Sequence, residues 1–229
     1  MNDKDVAQGS VASSQKPIRP DPAATAHTRH RYDLWASVYD WAEWPAEQLL
    51  FRKWREQLLA PVEGPEILEL GVGTGKNVPY YPDDAQVTAI DLSPEMVARA
   101  RRRTQQSPEK TITVREMDVQ ALDFAEGQFD EVVASMVFCS VPDPVLGLRE
   151  AIRVTKPGGR LRLLEHMRAT SPALGRLMDR LDAPVHWMGG MHIARQTVEN
   201  VRRVGWEIEE ETSLTHADIF RRIVARKPK

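Results

Sequence analysis

Three glycines and the acids around them are the residues of this chain best spaced to do chemistry. They lie in the run Ile67-Leu68-Glu69-Leu70-Gly71-Val72-Gly73-Thr74-Gly75. Residues 67–70 read as a short buried strand, and the glycines follow at once. A strand feeding a Gly-rich turn and then a helix brings bare backbone N–H groups close to a ligand. Nucleotide-like cofactors bind at such turns, at the carboxyl edge of parallel sheets. The spacing separates the candidates. A dinucleotide fingerprint GxGxxG would need glycine at position 76, where Lys76 stands, and there is no GxxxxGK[ST] run for a P-loop. Twenty residues past Gly71, the run Val87-Thr88-Ala89-Ile90 reads as a second strand ending in Asp91. An acid at that tip accepts hydrogen bonds from ribose hydroxyls. Asp91 could instead cap the helix that follows, but Ser93, just before Pro94, suits that cap better and leaves Asp91 for a ligand.

Glu69 followed by GxGxG resembles motif I of the class I S-adenosylmethionine-dependent methyltransferases. The resemblance spans roughly residues 31–226 and implies S-adenosyl-L-methionine as cofactor. Met117-Asp118-Val119 looks like the family's adenine-reading motif. There the carboxylate of Asp118 would accept from the exocyclic amine and the backbone of Val119 would meet a ring nitrogen. Leu92 and Met117 would wall the adenine, unless they are ordinary core residues. Ser135 sits where the family's fourth strand offers a main-chain carbonyl to the methionine amine. The implied cofactor set is therefore Glu69, Gly71, Gly73, Gly75, Asp91, Leu92, Met117, Asp118, Val119 and Ser135. The segments FDEVVASMVFCSVPDP and KPGGRL also look like their counterparts in the family.

Methyl transfer needs neither a metal nor a covalent nucleophile, because a sulfonium carbon is attacked in line and catalysis is mostly positioning. The six histidines show no metal-like spacing, and no metal ligand is assigned. Two residues stand out as catalytic candidates. His166 follows Glu165 at the end of the fifth strand and could act as a base. Tyr39, with Tyr32 in the pattern YDxWAxxYD, looks like the lid tyrosines of quinone- and phospholipid-modifying methyltransferases. The lone Cys139 reads as packing.

These groups must be carried by an alternation of strands and helices. Strands are expected at 66–70, 86–91, 111–117, 129–136 and 159–166, and helices at 30–60, 93–105 and 143–155. Lys156-Pro157-Gly158-Gly159 reads as a turn. Strands at 205–210 and 219–226 are too close together for a crossover and should pair antiparallel. The alternation predicts an α/β fold, a mainly parallel sheet with helices on both faces. The resemblance implies seven Rossmann-like strands finished by an antiparallel C-terminal hairpin. Residues 1–28, poor in large apolar side chains, read as a disordered tail. Residues 29–229 form the catalytic domain, with 29–60 an aromatic-basic helical lid and 167–204 a cap over the acceptor.

Composition narrows the partners. A formal charge of −2 over 229 residues argues against a dedicated nucleic-acid binder. One cysteine fits a reducing cytosol, and no apolar run approaches a membrane span. Residues 29–55 hold four of the six tryptophans, flanked by Arg29, Arg31, Arg52, Lys53 and Arg55. Trp and Tyr favour a boundary between water and apolar material, and basic residues favour anionic lipid. The expected partner is a small-molecule or lipid acceptor, met at an anionic surface on the cytoplasmic side. Over the whole chain the resemblance is to small bacterial phosphatidylethanolamine N-methyltransferases. Membrane-associated thiol methyltransferases come next, and quinone-ring C-methyltransferases third. A non-catalytic lipid- or cofactor-binding module on the same fold is the rival from another class.

Overall fold

The computed structural model describes residues 19–229, except for the side chains of residues 35, 37–43, 45 and 46. Seven strands form one sheet: β1 (Glu66–Leu70), β2 (Gln86–Asp91), β3 (Thr111–Glu116), β4 (Phe129–Ser135), β5 (Thr155–His166), β6 (Glu207–Ser213) and β7 (Phe220–Arg226). Their order across the sheet is β3-β2-β1-β4-β5-β7-β6. The pairings from β3 to β5 are parallel, while β7 runs antiparallel to both β5 and β6. The sequence expectation of a parallel sheet closed by an antiparallel hairpin is met. The strand order reverses between β1 and β4, and the carboxyl ends of the strands at that switch point form a natural crevice.

Alternating side chains send two apolar sets to opposite faces. Leu68, Leu70, Ile90, Val132, Ala134, Leu161 and Leu163 join one core, which α4 (Pro144–Val154) and α6 (Thr197–Val204) cover. Ile67, Val87, Val133 and Leu164 face the other way, onto Trp54, Leu58 and Leu59 of α2 (Arg52–Leu59). Val97 and Ala100 of α3 (Pro94–Thr104) pack beside them on Ala89 and Val114. Glu69, lying between Leu68 and Leu70, therefore points to the α2 face, where an arginine awaits it.

Two boundaries differ from the sequence expectation. The first helix, α1 (Pro22–Ala46), begins inside the segment expected to be a tail as far as residue 28. Its start has a local cause. Asp21 Oδ1 accepts from the Ala23 N–H at 2.9 Å, Pro22 suits the first helical position, and alanines follow. The helix is then held by polar contacts, which a search for large apolar residues misses. Residues 1–18 of that expected tail lie outside the described residues. The second difference is the KPGG turn, which is absorbed into β5 as an irregularity. Thr155 pairs with Phe129, the register then shifts, and Arg160 pairs with Glu131. Gly158 supplies the positive φ, +78°, that the kink requires.

Between α1 and α2 the chain passes through a π-helical stretch, Glu47–Phe51, just after Pro45. Helix α5 (Pro172–Gly189) stands apart from the layers. Of its 18 residues only Gly175 and Met178 are buried.

Candidate functional site

A cleft opens where β1, β2 and β4 end, and its walls come from six parts of the chain. The turn after β1 supplies Gly71, Val72, Gly73, Thr74 and Lys76; β2 and its tip supply Ile90, Asp91 and Leu92. Met117, Asp118 and Val119 follow β3, and the segment from Ser135 to Pro142 follows β4. Thr28 and Tyr32 of α1 and Arg55 of α2 complete the lining. Nine of the ten residues assigned to the cofactor from sequence thus share one cleft; the exception is Gly75.

The motif glycines have separate reasons to be glycine. At Gly73 φ is +54° and a Cβ would meet nothing within 4 Å, so its backbone borders open space. At Gly75 a Cβ would lie 3.2 Å from the Ala100 Cα, so this glycine lets the turn pack against α3. Gly75 supports the cleft from behind rather than lining it.

Asp91 is gripped at both oxygens. The Gly73 N–H donates to Oδ2 at 2.8 Å and the Ser93 N–H donates to Oδ1 at 2.9 Å. Burial lifts its carboxyl to about 6 despite those donors, with Asp33 of α1 pushing the same way. Ser93 does cap α3, its hydroxyl accepting from the Met96 N–H at 3.1 Å. Glu69 is held by Asn77, whose Nδ2 donates to Oε1 at 2.7 Å and also meets the Ser135 hydroxyl at 3.1 Å. Arg55 Nη1 in turn donates to Asn77 Oδ1 at 2.9 Å. Burial outweighs Tyr81, Asn77 and Arg55 and carries the Glu69 carboxyl up to about 7. Its second oxygen is buried without a hydrogen-bond partner.

The opposite wall depends on Glu165. The N–H groups of Val137 and Phe138 donate to its Oε1 at 2.9 and 3.1 Å. Those bonds fix the turn after β4, where Met136 adopts φ +59°, an uncommon value for a side chain of that size. Met136, Val137, Ser140, Val141 and Pro142 all line the cleft, so a fully buried acid at the end of β5 shapes it.

Helix α1 closes the top. The Thr25 hydroxyl donates to Asp118 Oδ2 at 3.1 Å, Arg29 pairs with Glu116, and the Ser93 hydroxyl donates to Asp33. These ties rest on the tips of β2 and β3, where Asp91 and Asp118 lie.

A methyltransferase-domain family model matches residues 68–163, the stretch from β1 into β5. A phosphatidylethanolamine N-methyltransferase of Cereibacter sphaeroides is 32% identical over 193 residues, which cover 82% of this chain and 92% of that protein. A rat thiol S-methyltransferase is 33% identical over 144 residues, 60% of this chain and 58% of its own. Among solved structures, an S-adenosylmethionine-dependent methyltransferase from Thermotoga maritima superposes with a TM-score of 0.65 at 20% identity, covering 86% of this chain and 99% of that one. The chain belongs to the S-adenosylmethionine-dependent methyltransferases.

The cofactor of this methyltransferase family fits the cleft. Gly73 borders unfilled space, where a methionine moiety can approach the backbone. Asp91 stands where ribose hydroxyls need an acceptor, and Ile90, Leu92, Met117, Val137 and Val141 are apolar walls suited to adenine. Glu69 and Arg55 set an acid and a base at the other end of the cleft, suited to an amine and a carboxylate.

The catalytic candidates fare differently. The side chain of Tyr39 lies outside the described residues; its backbone is two turns along α1 from Tyr32. His166 does not line the cleft. Its ring meets Phe220 edge-on at 5.1 Å, beside Trp54 and Phe51, and burial pushes its pKa down. The structure thus sets His166 against Phe220 rather than in the cleft, a placement that lends no support to a base at position 166. The residues missed from sequence are Arg55, Lys76 and Asn77, together with Thr28. Asn77 sits two residues past the last motif glycine, which is the one local signal it offered.

Proposed function

We propose that this methyltransferase transfers a methyl group to the amine of an amphiphilic acceptor, phosphatidylethanolamine. The observation that carries the reading is the relative of that name, matched over 92% of its length. When bound, the cofactor supplies a methyl carried on a positively charged sulfur and open to in-line attack. The chain holds the ribose through Asp91, the amine end through Glu69 and Ser135, and the carboxylate end through Arg55. Tyr32 and α1 exclude water from above, which strengthens each polar contact inside. An ammonium acceptor must lose its proton before it can attack. With His166 off the cleft, Tyr39 of α1 is the residue we assign the orienting role, since a tyrosine hydroxyl oxygen can stabilise the charge that develops on a transferring methyl. The apolar surface of Leu34, Trp44, Leu49 and Leu50, exposed on α1 and the stretch after it, suits a peripheral site on the membrane face where such a lipid resides.

The test is transfer of radiolabelled methyl from S-adenosylmethionine to phosphatidylethanolamine in mixed micelles, beside alkyl thiols and quinone precursors. Labelled phosphatidylmonomethylethanolamine is the expected product. Label on the thiols alone would favour the activity of the rat relative instead. With the lipid, Tyr39→Phe should lower turnover by about 10²-fold with little change in cofactor affinity.

A further inference from the structure

An 18-residue helix that buries two of its residues must spend its remaining surface on something. On α5 the solvent side is apolar. Leu177, Leu181, Pro184 and Met188 recur at spacings of four, three and four, one stripe along a helix. All four are exposed; Met188 is 65% exposed and Trp187 beside it 76%. Met191, just past the helix end, is exposed as well.

The charges on this helix are sorted. Both acids are paired within the protein: the exposed Asp179 accepts from Arg168 at 2.8 and 2.9 Å, and Asp182 meets His192 Nδ1 at 2.7 Å. The charged residues next to the apolar stripe are Arg176 and Arg180, both exposed. An apolar stripe with an interfacial tryptophan and a flank of arginines is complementary to an anionic lipid surface. With both acids already paired, the charge left beside the stripe is positive, which suits an anionic lipid surface better than a partner of mixed charge.

The place of α5 gives the surface a use. Arg31 Nη1 and Nη2 donate to the carbonyls of His186 and Trp187 at 2.7 and 2.6 Å, binding α1 to the end of α5. The His192 N–H donates to the Cys139 carbonyl at 2.8 Å, and Arg195 Nη2 to the Val141 carbonyl at 2.8 Å. Tyr32, the neighbour of Arg31, lines the cleft, and so does Val141. The tip of α5 is therefore fastened to the rim of the cleft at two sides.

We infer that the outer face of α5, from Leu177 to Met191, seats the protein on an anionic phospholipid bilayer and so sets the mouth of the cleft at the headgroup level. The inference rests on the lipid-acceptor reading for its purpose but not for its test. Full-length protein is floated with phosphatidylcholine vesicles, with and without phosphatidylglycerol, so that no amine lipid is present. Wild type should float with the anionic vesicles, and salt should weaken that binding. Arg176→Gln/Arg180→Gln should lose about fivefold per charge removed, and Leu181→Glu/Met188→Glu roughly tenfold or more. Both variants should bind S-adenosylmethionine calorimetrically like wild type, since none of the four residues lines the cleft. Turnover should fall on vesicle-embedded acceptor and persist on a short-chain acceptor in detergent. Loss of vesicle binding in the variants, in an enzyme that methylates no amine lipid, would retire the acceptor assignment and leave the seat intact. Unchanged flotation of both variants would overturn the seat. So would a wild-type dimer that the variants dissociate without any vesicle binding, which would make a second copy the occupant.

Discussion

Asp91 already accepts two backbone N–H groups, from Gly73 and Ser93, so it is fixed in place when ribose hydroxyls approach. Replacing it by alanine removes a charged acceptor for two donors and loosens the turn at Gly73. Asp91→Ala should weaken cofactor binding by roughly 2–3 kcal/mol, measured by calorimetry, and Gly73→Val should abolish it by filling the open space beside that backbone. The raised carboxyls add a pH dependence. In the folded protein Asp91 at about 6 and Glu69 at about 7 hold protons that the unfolded chain releases at its ordinary values near 4. Ligand-free stability should therefore decline as pH rises from about 4 to about 7 and level off above. Ribose hydroxyls favour ionised Asp91, so affinity moves the other way and falls as pH drops through about 6. The rise in melting temperature caused by cofactor should be larger at about pH 7.5 than at about pH 5.5. Across the cleft, Glu165→Gln retains an oxygen for the Val137 and Phe138 N–H groups, whereas Glu165→Ala orphans both. Cofactor affinity should survive the first and drop at least tenfold in the second, roughly the cost of unpaired buried donors. The places of Asp91, Gly71 and Gly73 in the cleft were legible because they follow from distance along the chain. Arg55 was not: it reaches Asn77 only once α2 has packed against the face of β1 that carries Glu69.

At the scale of elements, the described part of α1 is tied over the cleft by polar side chains. Thr25 on Asp118 and Asp33 on Ser93 are the ties nearest the cleft. Thr25→Val/Asp33→Ala should accelerate amide hydrogen exchange in residues 22–33 several-fold, at about fivefold per hydrogen bond lost, while α3 and α4 keep their protection. Uniform exchange rates in variant and wild type would mean that the lid is held by something else. The strands and central helices were readable because each buries an apolar face, and periodicity reports burial. The start of α1 was not, since its sequence PAATAHT offers no apolar stripe and its anchors lie on strands nearly a hundred residues away. The same logic explains α5. Residues 167–204 read as a cap over the acceptor, but the pattern alone could not say which side of the helix faces protein.

For the whole molecule, the parallel half of the sheet carries the cofactor residues and the antiparallel end carries the frame of the rim. That separation lets related chains keep one cofactor cleft while acceptors differ, consistent with relatives named for a lipid amine and for thiols. The order of strands has another effect, on the birth of the protein rather than its action. β7, which follows β6 in the chain, sits between β5 and β6, so this sheet cannot close until residues 220–226 leave the ribosome. Until then β6 has no neighbour, and β5 shows an open edge carrying Leu161, Leu163 and Leu164. A nascent chain stalled or truncated before Phe220 would present that edge to other chains, a template for aggregation. Residues 220–226 thus decide whether the edge of β5 is covered.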